Sequence, residues 1–389
     1  MLNFHFYNPA QIYFGKGMED HVGEYVSQYS NQILLHYGGG SIFKNGVYDR
    51  VTASLRKAGV RFVELGGVQP NPRLSLVRAG IQLCDENNLD FILAVGGGST
   101  IDSAKAIAVG VQNPGDLWDY YMDPEKPIRG ALPVGVVLTI PATGSESSPS
   151  SVITNEANNL KRSIASPKII PKFAVLNPEI TYTMPKYQIA CGASDILSHL
   201  MERYFTPVDH VDFTDRLLEA SMRTVLDNGP LALQNPTDYH VRAELMWVGT
   251  VAHNGLLNTG RIGDWATHHM EHELSGMYDI AHGAGLSIMT PAWMRYVYRE
   301  NVGKFIQFSR RVFGVEYPLD DPRALVEEML FRLETWYRRM GLPVRLSDVG
   351  IGTEHLEEMA RRCMLGRGKD GHFKVLTETD VLRIYELAL

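Results

Sequence analysis

The sequence predicts an α/β domain over residues 1–180, followed by an all-helical domain over residues 181–389. Three observations predict this class. Short apolar runs alternate with amphipathic segments in the first part, two of those runs end in glycine turns, and long segments with a 3.6-residue period dominate the second part. A chain of 389 residues also fits about two domains.

Strands and helices alternate through the first 180 residues. Helices are expected at 47–58, before a second strand, and at 70–88, after a pair of prolines. Alternation at this spacing predicts a largely parallel sheet with helices on both faces. The predicted strands lie within 32–39, 61–68, 132–146 and 171–179, and residues 90–110 repeat the order strand, glycine turn, helix.

The pattern changes to helical segments beyond residue 180. Few runs there resemble strands, so the second part is expected to be nearly all helical. Without a low-complexity linker, the two parts are expected to share an extensive interface with a ligand cleft between them. The predicted helices include 186–205, 214–228, 239–257 and 322–340.

Composition excludes several classes of partner. A net charge of −7 and a pI near 6.0 argue against a nucleic acid or a membrane surface as partner. The three cysteines, Cys84, Cys191 and Cys363, are far apart and predict no disulfide framework. The first residues do not resemble a signal peptide, and no apolar run is long enough to span a membrane. We expect a cytoplasmic protein with a small-molecule substrate.

Two glycine turns, YGGGS at 37–41 and VGGGSTID at 95–102, each follow a predicted strand and precede a helix. Glycine allows close approach of a phosphate, and a helix N-terminus attracts the anion. Ser99 and Thr100 fit the N-cap region of the second helix, with Asp102 in its first turn. Either turn alone could be a tight connection without ligand. Two in successive units favour a nucleotide, although neither matches GxGxxG.

The first turn favours NADP over NAD. Sites for NAD commonly place a carboxylate against the ribose 2′-hydroxyl, where it would repel a 2′-phosphate. This turn has no acid, whereas Ser41 could donate to phosphate and Lys44 follows. A third loop, TIPATGSES at 139–147, is rich in hydroxyls, but by itself such a loop is more simply a turn that satisfies its own backbone.

Four of the 13 histidines lie in one stretch, residues 263–283. His268 and His272 are four residues apart and share one face of a helix, while His269 points about 100° away. His282 follows a predicted break around residues 275–278. A single histidine is more often a structural residue than a ligand, so the cluster needs support from elsewhere in the chain.

That support comes from the segment CGASDILSHL, residues 191–200. Asp195 and His199 are four residues apart, so one helix face can offer both to one ion. A carboxylate oxygen with imidazole nitrogens suits Zn²⁺ or Fe²⁺, and spacing does not separate the two. A divalent ion there would polarise a carbonyl toward hydride attack.

Together, GGGSTIDSAKAIA, TIPATGSE, DILSH and HHMEHELSG…AHGAG resemble the iron-containing (group III) alcohol dehydrogenases, most of all the branch of NADP-dependent butanol dehydrogenases and aldehyde reductases. The resemblance runs from end to end with the motifs in order. It implies the dehydroquinate synthase-like architecture, with an N-terminal nucleotide-binding domain and a C-terminal helical metal-binding domain. It also implies a homodimer and one divalent ion, Fe²⁺ or Zn²⁺.

The resemblance also assigns residues. It places the metal on Asp195, His199, His268 and His282, and it places His272 near the reacting carbon as the catalytic residue rather than a ligand. His269 is left as a structural residue. With the first glycine turn included, the expected cofactor-binding residues are Gly38, Gly39, Ser41, Asn71, Gly96, Gly97, Gly98, Ser99, Asp102, Thr139, Thr143 and Lys161.

The predicted activity is NADPH-dependent reduction of short or medium aldehydes to primary alcohols, and the reverse oxidation. One rival is a non-redox enzyme of the dehydroquinate synthase type, which uses metal and NAD on the same architecture. Such enzymes need a basic pocket for phosphorylated acids, whereas Asp264, Trp265 and Met270 make this segment acidic and apolar. A second rival is a binding protein that senses a nucleotide or metal, against which the complete ligand set argues.

Overall fold

A computed structural model describes residues 1–123, 125–316 and 321–389, and the chain divides into two compact units. The α/β unit contains Tyr7–Met184 and Pro236–Asn254. The helical unit contains Met1–Phe6, Pro185–Asn235 and Gly255–Leu389. The α/β class of the first part and the helical class of the second confirm the predicted fold class.

The described residues form eight strands, of which six make one parallel sheet. The order across this sheet is β1-β8-β5-β4-β2-β3, and β6 and β7 form a separate antiparallel hairpin. The strands are β1 Gln11–Phe14, β2 Gln32–Tyr37, β3 Arg61–Leu65, β4 Ile92–Gly97, β5 Val134–Ile140, β6 Ser150–Asn155, β7 Leu160–Ala165 and β8 Phe173–Leu176.

Both faces of the sheet are buried, which explains why the central strands are continuous apolar runs. On β4, Ile92 and Ala94 belong to one core cluster, while Leu93 and Val95 belong to another. Alternate side chains of a strand point to opposite faces, so each cluster lies on its own side of the sheet. Helices of the α/β unit cover these faces.

The helices of the α/β unit connect successive strands, apart from one that comes from a later part of the chain. The α-helices are α1 Val22–Ser27, α2 Ser41–Lys44, α3 Val47–Lys57, α4 Leu74–Asn87, α5 Gly98–Gln112, α6 Trp118–Met122 and α9 Tyr239–His253. Helix α9 lies within the second part of the sequence but packs with the α/β unit.

The helical unit has two helices from the middle of the chain and six from its end, counted over the described residues. They are α7 Lys186–Tyr204, α8 Asp212–Gln234, α10 Ala266–Tyr278, α11 His282–Val297, α12 Val302–Arg311, α13 Pro322–Arg339, α14 Leu356–Cys363 and α15 Glu378–Leu387. Helix α7 packs against α8 and α11, and α10 packs against α11.

The structure differs from the sequence-based expectations in several local features, of which three concern the elements themselves. The hairpin β6–β7 was not expected, because its strands carry polar residues that do not alternate cleanly. The break expected around 275–278 lies slightly later, because α10 continues to Tyr278 and ends where Asp279 adopts the left-handed conformation with a φ of 54°; His282 begins the next helix, as expected. Helix α8 continues past residue 228 and contains Pro230.

Candidate metal and cofactor sites

One face of α7 carries a row of buried acidic and imidazole side chains. Asp195, His199 and Glu202 follow the spacing i, i+4 and i+7, which places them along a single face. All three are buried, although a charged side chain is seldom buried without partners. This face of the helix is therefore built for polar interactions.

Helices α10 and α11 bring the other histidines to this face. His268 lies in the first turn of α10, and His282 is the first residue of α11, after the short connection that Asp279 begins. The Nε2 atoms of His268 and His282 each lie 3.8 Å from Oδ1 of Asp195. Donor atoms of Asp195, His268 and His282 all lie within 4.8 Å of one another, a spacing that fits one metal ion.

His199 is the fourth predicted ligand. Its Nδ1 lies 3.3 Å from Oδ1 of Asp195, and its ring stacks on that of His268 with centroids 4.6 Å apart. His199 is not a member of the mutually close group of Asp195, His268 and His282. The structure thus brings all four predicted ligands around one carboxylate oxygen, with three of them in a tighter group.

Two donor atoms at this site support the binding of a cation. Oδ1 of Asp195 and Nε2 of His268 are buried and have no hydrogen-bond partner among the described residues. Such groups are costly to bury unless something satisfies them. Burial lowers the pKa of His268, but Asp195 and Glu202 outweigh that effect and raise it to about 9. The site attracts positive charge, and its oxygen and nitrogen donors suit a divalent ion.

His272 and His269 lie on different sides of α10. His272 is buried, and its ring centroid lies 5.8 Å from that of His282. It belongs to a second close group with Glu271 and His282. The Nδ1 atom of His269 instead lies 2.7 Å from Oδ1 of Asp370, in the loop between α14 and α15. His269 therefore ties that loop to α10.

Two glycines of α11 allow this helix to pack closely against α7 and α10. A Cβ at Gly283 would lie 2.0 Å from the carbonyl oxygen of Cys191 on α7, and a Cβ at Gly285 would lie 2.6 Å from Cγ of Glu271. Neither approach is possible with a larger residue unless the backbone or Glu271 moves. Gly283 and Gly285 thus bring α11 against α7 and α10, and the sequence analysis did not identify them as site residues.

The cofactor residues that the sequence predicts lie mostly where strands of the parallel sheet end. The turn from Gly38 to Ser41 follows β2, Gly96 and Gly97 end β4, and Thr139 lies near the end of β5. These three strands are neighbours, in the order β5-β4-β2. From β2 the chain adds β3 on one side, and it then crosses to the other side of β2 to add β4. The boundary between β2 and β4 is therefore a switch point, where open α/β sheets bind ligands in the crevice.

Each glycine of the second turn also meets a packing requirement. A Cβ added at Gly96 would lie 2.3 Å from Oγ1 of Thr100. One added at Gly97 would lie 2.9 Å from Cβ of Ile140, and one added at Gly98 would lie 2.4 Å from Cγ2 of Thr143. Contacts within the protein therefore explain these glycines without a ligand. What favours a nucleotide is the position of the turn and the N-terminus of the fifteen-residue helix α5, where Gly97 provides no side-chain cap.

The expected position of Asp102 in the first turn of α5 is wrong, because the helix begins at Gly98. Asp102 is buried in the next turn. Its Oδ1 accepts a hydrogen bond of 2.6 Å from Ser145, and its Oδ2 accepts one of 3.1 Å from the backbone of Val152. Burial raises the pKa of Asp102. The carboxylate thus holds the loop after β5, and its role toward a cofactor stays a prediction.

Residues of helix α9 also form hydrogen bonds with the loop after β5. Nδ1 of His253 lies 2.9 Å from the carbonyl oxygen of Thr143, and Thr250 donates a hydrogen bond of 2.6 Å to Glu146. Within the loop, the Thr143 hydroxyl accepts a hydrogen bond from the backbone of Ser145. These contacts explain why α9 belongs to the α/β unit.

Asn71 and Lys161 are linked through the hairpin β6–β7. Asn71 is buried and left-handed, with a φ of 53°. The next residue, Pro72, accepts a hydrogen bond of 2.8 Å from the backbone of Thr154, and Thr154 pairs with Lys161 across the hairpin. Lys161 is buried. The hairpin therefore links the segments that carry Asn71 and Lys161, two predicted cofactor-binding residues that are far apart in the sequence.

The comparisons with known proteins agree with both halves of this description. Residues 9–178 match the family model of iron-containing alcohol dehydrogenase, and residues 189–389 match the C-terminal model of the same family. The chain is 42% identical to NADH-dependent butanol dehydrogenase A of Clostridium acetobutylicum, covering 99% of each chain. It is 36% identical to NADPH-dependent aldehyde reductase YqhD of Escherichia coli, over the full length of both.

The crystal structure of NADH-dependent butanol dehydrogenase A from Thermotoga maritima is similar throughout, with a TM-score of 0.96 and 40% identity over 100% of this chain and 99% of that one. The chain belongs to the iron-containing alcohol dehydrogenase family, as its motifs predicted. Membership implies an oxidoreductase with a divalent metal and a nicotinamide cofactor. Among the described residues, no helix combines the length and the apolar character that crossing a membrane requires.

Proposed function

We propose that this chain is a metal-dependent, NADPH-linked aldehyde reductase that converts short or medium aldehydes to primary alcohols and catalyses the reverse oxidation. The observation that carries the proposal is the position of Asp195, whose buried Oδ1 faces Nε2 of both His268 and His282 at 3.8 Å. Butanol dehydrogenases and an aldehyde reductase among its relatives support the reaction class.

In this proposal Asp195, His199, His268 and His282 hold one Fe²⁺ or Zn²⁺. The bound ion supplies a Lewis acid that polarises the substrate carbonyl, and the nicotinamide supplies the hydride. Asp195, His199 and His268 are buried, whereas His282 is partly exposed. His272, beside His282 but outside the group around Asp195, is proposed to carry the proton that the alcohol oxygen gains.

The proposed cofactor site uses the ends of β2, β4 and β5. The N-terminus of α5 attracts the diphosphate, while the first glycine turn binds the ribose. Asn71, Thr139, Thr143 and Lys161 line the remainder of the site. The proposal also includes a homodimer, as the family resemblance implies.

Residues of this chain support the choice of NADPH. The first glycine turn contains no carboxylate, Ser41 is its last residue, and Lys44 lies just beyond it. The neighbouring Glu64 is already bonded, since the hydroxyls of Tyr37 and Tyr48 each donate to it at 2.9 Å. The relatives differ in this respect, because butanol dehydrogenase A of Clostridium acetobutylicum is named as NADH-dependent and YqhD as NADPH-dependent.

A steady-state screen tests the proposal. Purified protein supplied with Fe²⁺ or Zn²⁺ is given NADPH or NADH with a series of linear aldehydes that includes butanal, and loss of reduced cofactor is followed by absorbance. We expect turnover with a higher kcat/KM for NADPH. No turnover across the series would refute the reductase, and a product formed without net cofactor oxidation would favour the non-redox rival. Higher kcat/KM with NADH would refute only the cofactor preference.

A further inference from the structure

Two buried carboxylates that belong to no predicted ligand set flank the proposed metal site. Glu202 on α7 and Glu271 on α10 are almost inaccessible to solvent, at 4% and 0% exposure. Each lies against Nδ1 of a histidine whose Nε2 faces Asp195. Burying a carboxylate requires partners, so the identity of those partners indicates its purpose.

Glu202 contacts His268 and the start of α10 together. Its Oε1 lies 3.1 Å from Nδ1 of His268 and accepts a second bond, of 3.2 Å, from the backbone of the same residue. The backbone of Trp265 donates to Oε2 at 2.6 Å, and the hydroxyl of Thr267 donates to Oε1. One carboxylate therefore fixes both the ring of His268 and the first turn that carries it.

Glu271 makes the corresponding contact with His282. Its Oε2 is hydrogen-bonded to Nδ1 of His282, and its Oε1 accepts from the hydroxyl of Ser275 one helical turn away. Gly285 leaves the space that the side chain of Glu271 occupies, since a Cβ there would lie 2.7 Å from Oε1. Helix α11 is thus shaped around this carboxylate.

These contacts determine the tautomers of both rings. An ionised carboxylate only accepts hydrogen bonds, so Nδ1 of each histidine must carry the proton. In the neutral ring the lone pair is then on Nε2, the atom that faces Asp195. A histidine that ligates a metal usually donates its other N–H in this way, which orients the ring and strengthens it as a ligand.

We propose that Glu202 and Glu271 are positioning residues that hold His268 and His282 in the tautomer and orientation needed to bind the ion, and that they set the affinity of the site for it. This inference rests on the proposed metal site. The pairing is selective, because another buried carboxylate, Glu273 on α10, instead accepts from Nε of Arg362 at 3.0 Å.

Glu271, His272 and His282 also form a group close enough to hold an ion of their own. In the positioning account Glu271 already accepts the Nδ1 proton of His282, so this group supports the site around Asp195 and binds no second ion. The two accounts differ in the number of ions per chain. Stoichiometry therefore separates them.

The experiment compares Glu202→Gln and Glu271→Gln with wild type and with the control Glu273→Gln. Glutamine keeps the size of the side chain but removes its charge. The Zn²⁺ dissociation constant is measured by competition with a chromogenic chelator, stoichiometry by metal analysis, and the fold of each metal-free protein by its melting temperature. The visible spectrum of the Co²⁺ form reports the ligand geometry.

We expect one ion per wild-type chain and a dissociation constant raised by about 10–100-fold in each of the two variants, the usual effect of removing such a carboxylate. The Co²⁺ spectra of these two variants should change, while metal binding by the control should match that of wild type. Two ions per wild-type chain, or variants that bind Zn²⁺ as wild type does, would overturn the inference. So would variants whose metal-free form alone is destabilised. Absence of metal binding by wild type would instead refute the proposed function.

Discussion

The four histidines in residues 263–283 have different neighbours and therefore different predicted roles. His268 and His282 face Asp195, His269 faces Asp370, and His272 faces neither. Helical spacing alone grouped His268 with His272, because both lie on one face of α10. What separates their predicted roles is the position of Asp195, which lies 73 residues before His268 in the sequence.

Substitution of His272 tests the distinction between a ligand and a proton carrier. His272→Ala should still bind one metal ion per chain but lose kcat by roughly 10²–10⁴-fold, the usual contribution of general acid–base catalysis. His268→Ala is the comparison and should lose the metal as well. Metal analysis alongside steady-state kinetics measures both effects. Loss of metal from His272→Ala would show that it is a ligand.

A carboxylate introduced in the first glycine turn should alter cofactor preference. A Cβ at Gly39 would meet no heavy atom within 4 Å, so the Gly39→Asp side chain has room. Because it would repel the 2′-phosphate, we expect KM for NADPH to rise by about tenfold or more, with little change for NADH. Gly39→Asn has the same size without the charge and should change the preference much less. Equal effects of Asp and Asn would contradict the electrostatic explanation.

His36 should make the folded state sensitive to acid. Burial lowers its pKa from 6.5 to about 4, while Nδ1 and Nε2 lie 2.8 Å from the Leu65 carbonyl oxygen and the Ser103 hydroxyl. The unfolded chain takes up a proton near pH 6.5 and the folded chain only near pH 4. Stability contributed by His36 is therefore complete above pH 6.5 and is lost as the pH falls toward 4, by up to about 3 kcal/mol.

The test is urea denaturation of wild type and His36→Gln at a series of pH values. Glutamine cannot titrate, so the variant should lose less stability than wild type between pH 6.5 and 4, even if it is less stable at pH 7. Parallel pH profiles for the two proteins would show that His36 does not carry this dependence.

The packing of whole elements depends on small residues at defined positions. Gly283→Ala would place a Cβ 2.0 Å from the backbone of Cys191, so α11 must move away from α7. We expect a loss of at least about 2 kcal/mol in the free energy of unfolding, together with weaker metal binding. The control is Gly303→Ala, exposed in α12, where the nearest atom lies at 3.5 Å. It should be neutral or stabilising by about 0.5–1 kcal/mol.

Chemical denaturation and Zn²⁺ titration of both glycine variants measure these effects. If Gly283→Ala keeps the stability and metal affinity of wild type, the close contact of α11 with α7 is not required.

Sequence periodicity predicted most elements because their patterns are local. Helix α7 was expected at 186–205 and is found at Lys186–Tyr204, and β3 lies within the expected 61–68. Helix α9 was correctly expected to be helical, but its place in the α/β unit depends on contacts such as Thr250 with Glu146, which are 104 residues apart. No local pattern records such a pairing.

Residues of the candidate site were also predictable only where a local pattern or the family resemblance identified them. Asp195 and His199 are recognisable from spacing, and the family resemblance supplied His268 and His282. Glu202 and Glu271 were missed although Glu202 continues the i, i+4, i+7 row of α7. That row was a usable signal for a polar face, but a carboxylate that orients a histidine can be recognised only once the two side chains are seen in contact.

At the scale of the whole molecule, the two units contribute different parts of the proposed chemistry. The α/β unit places three loops at the switch point of its sheet, and the helical unit collects Asp195 and its histidines from α7, α10 and α11. Such a division is expected for a protein that needs both a nucleotide and a metal. The described side chains define the proposed metal site more completely than the proposed nucleotide site.

The most direct test of the account is to titrate Zn²⁺ or Fe²⁺ into metal-free protein while NADPH oxidation by butanal is followed. We predict no turnover without metal, a rate that rises to a maximum at one ion per chain, and no recovery in Asp195→Ala at any metal concentration. Turnover that survives removal of the metal, or that Asp195→Ala retains, would contradict the account.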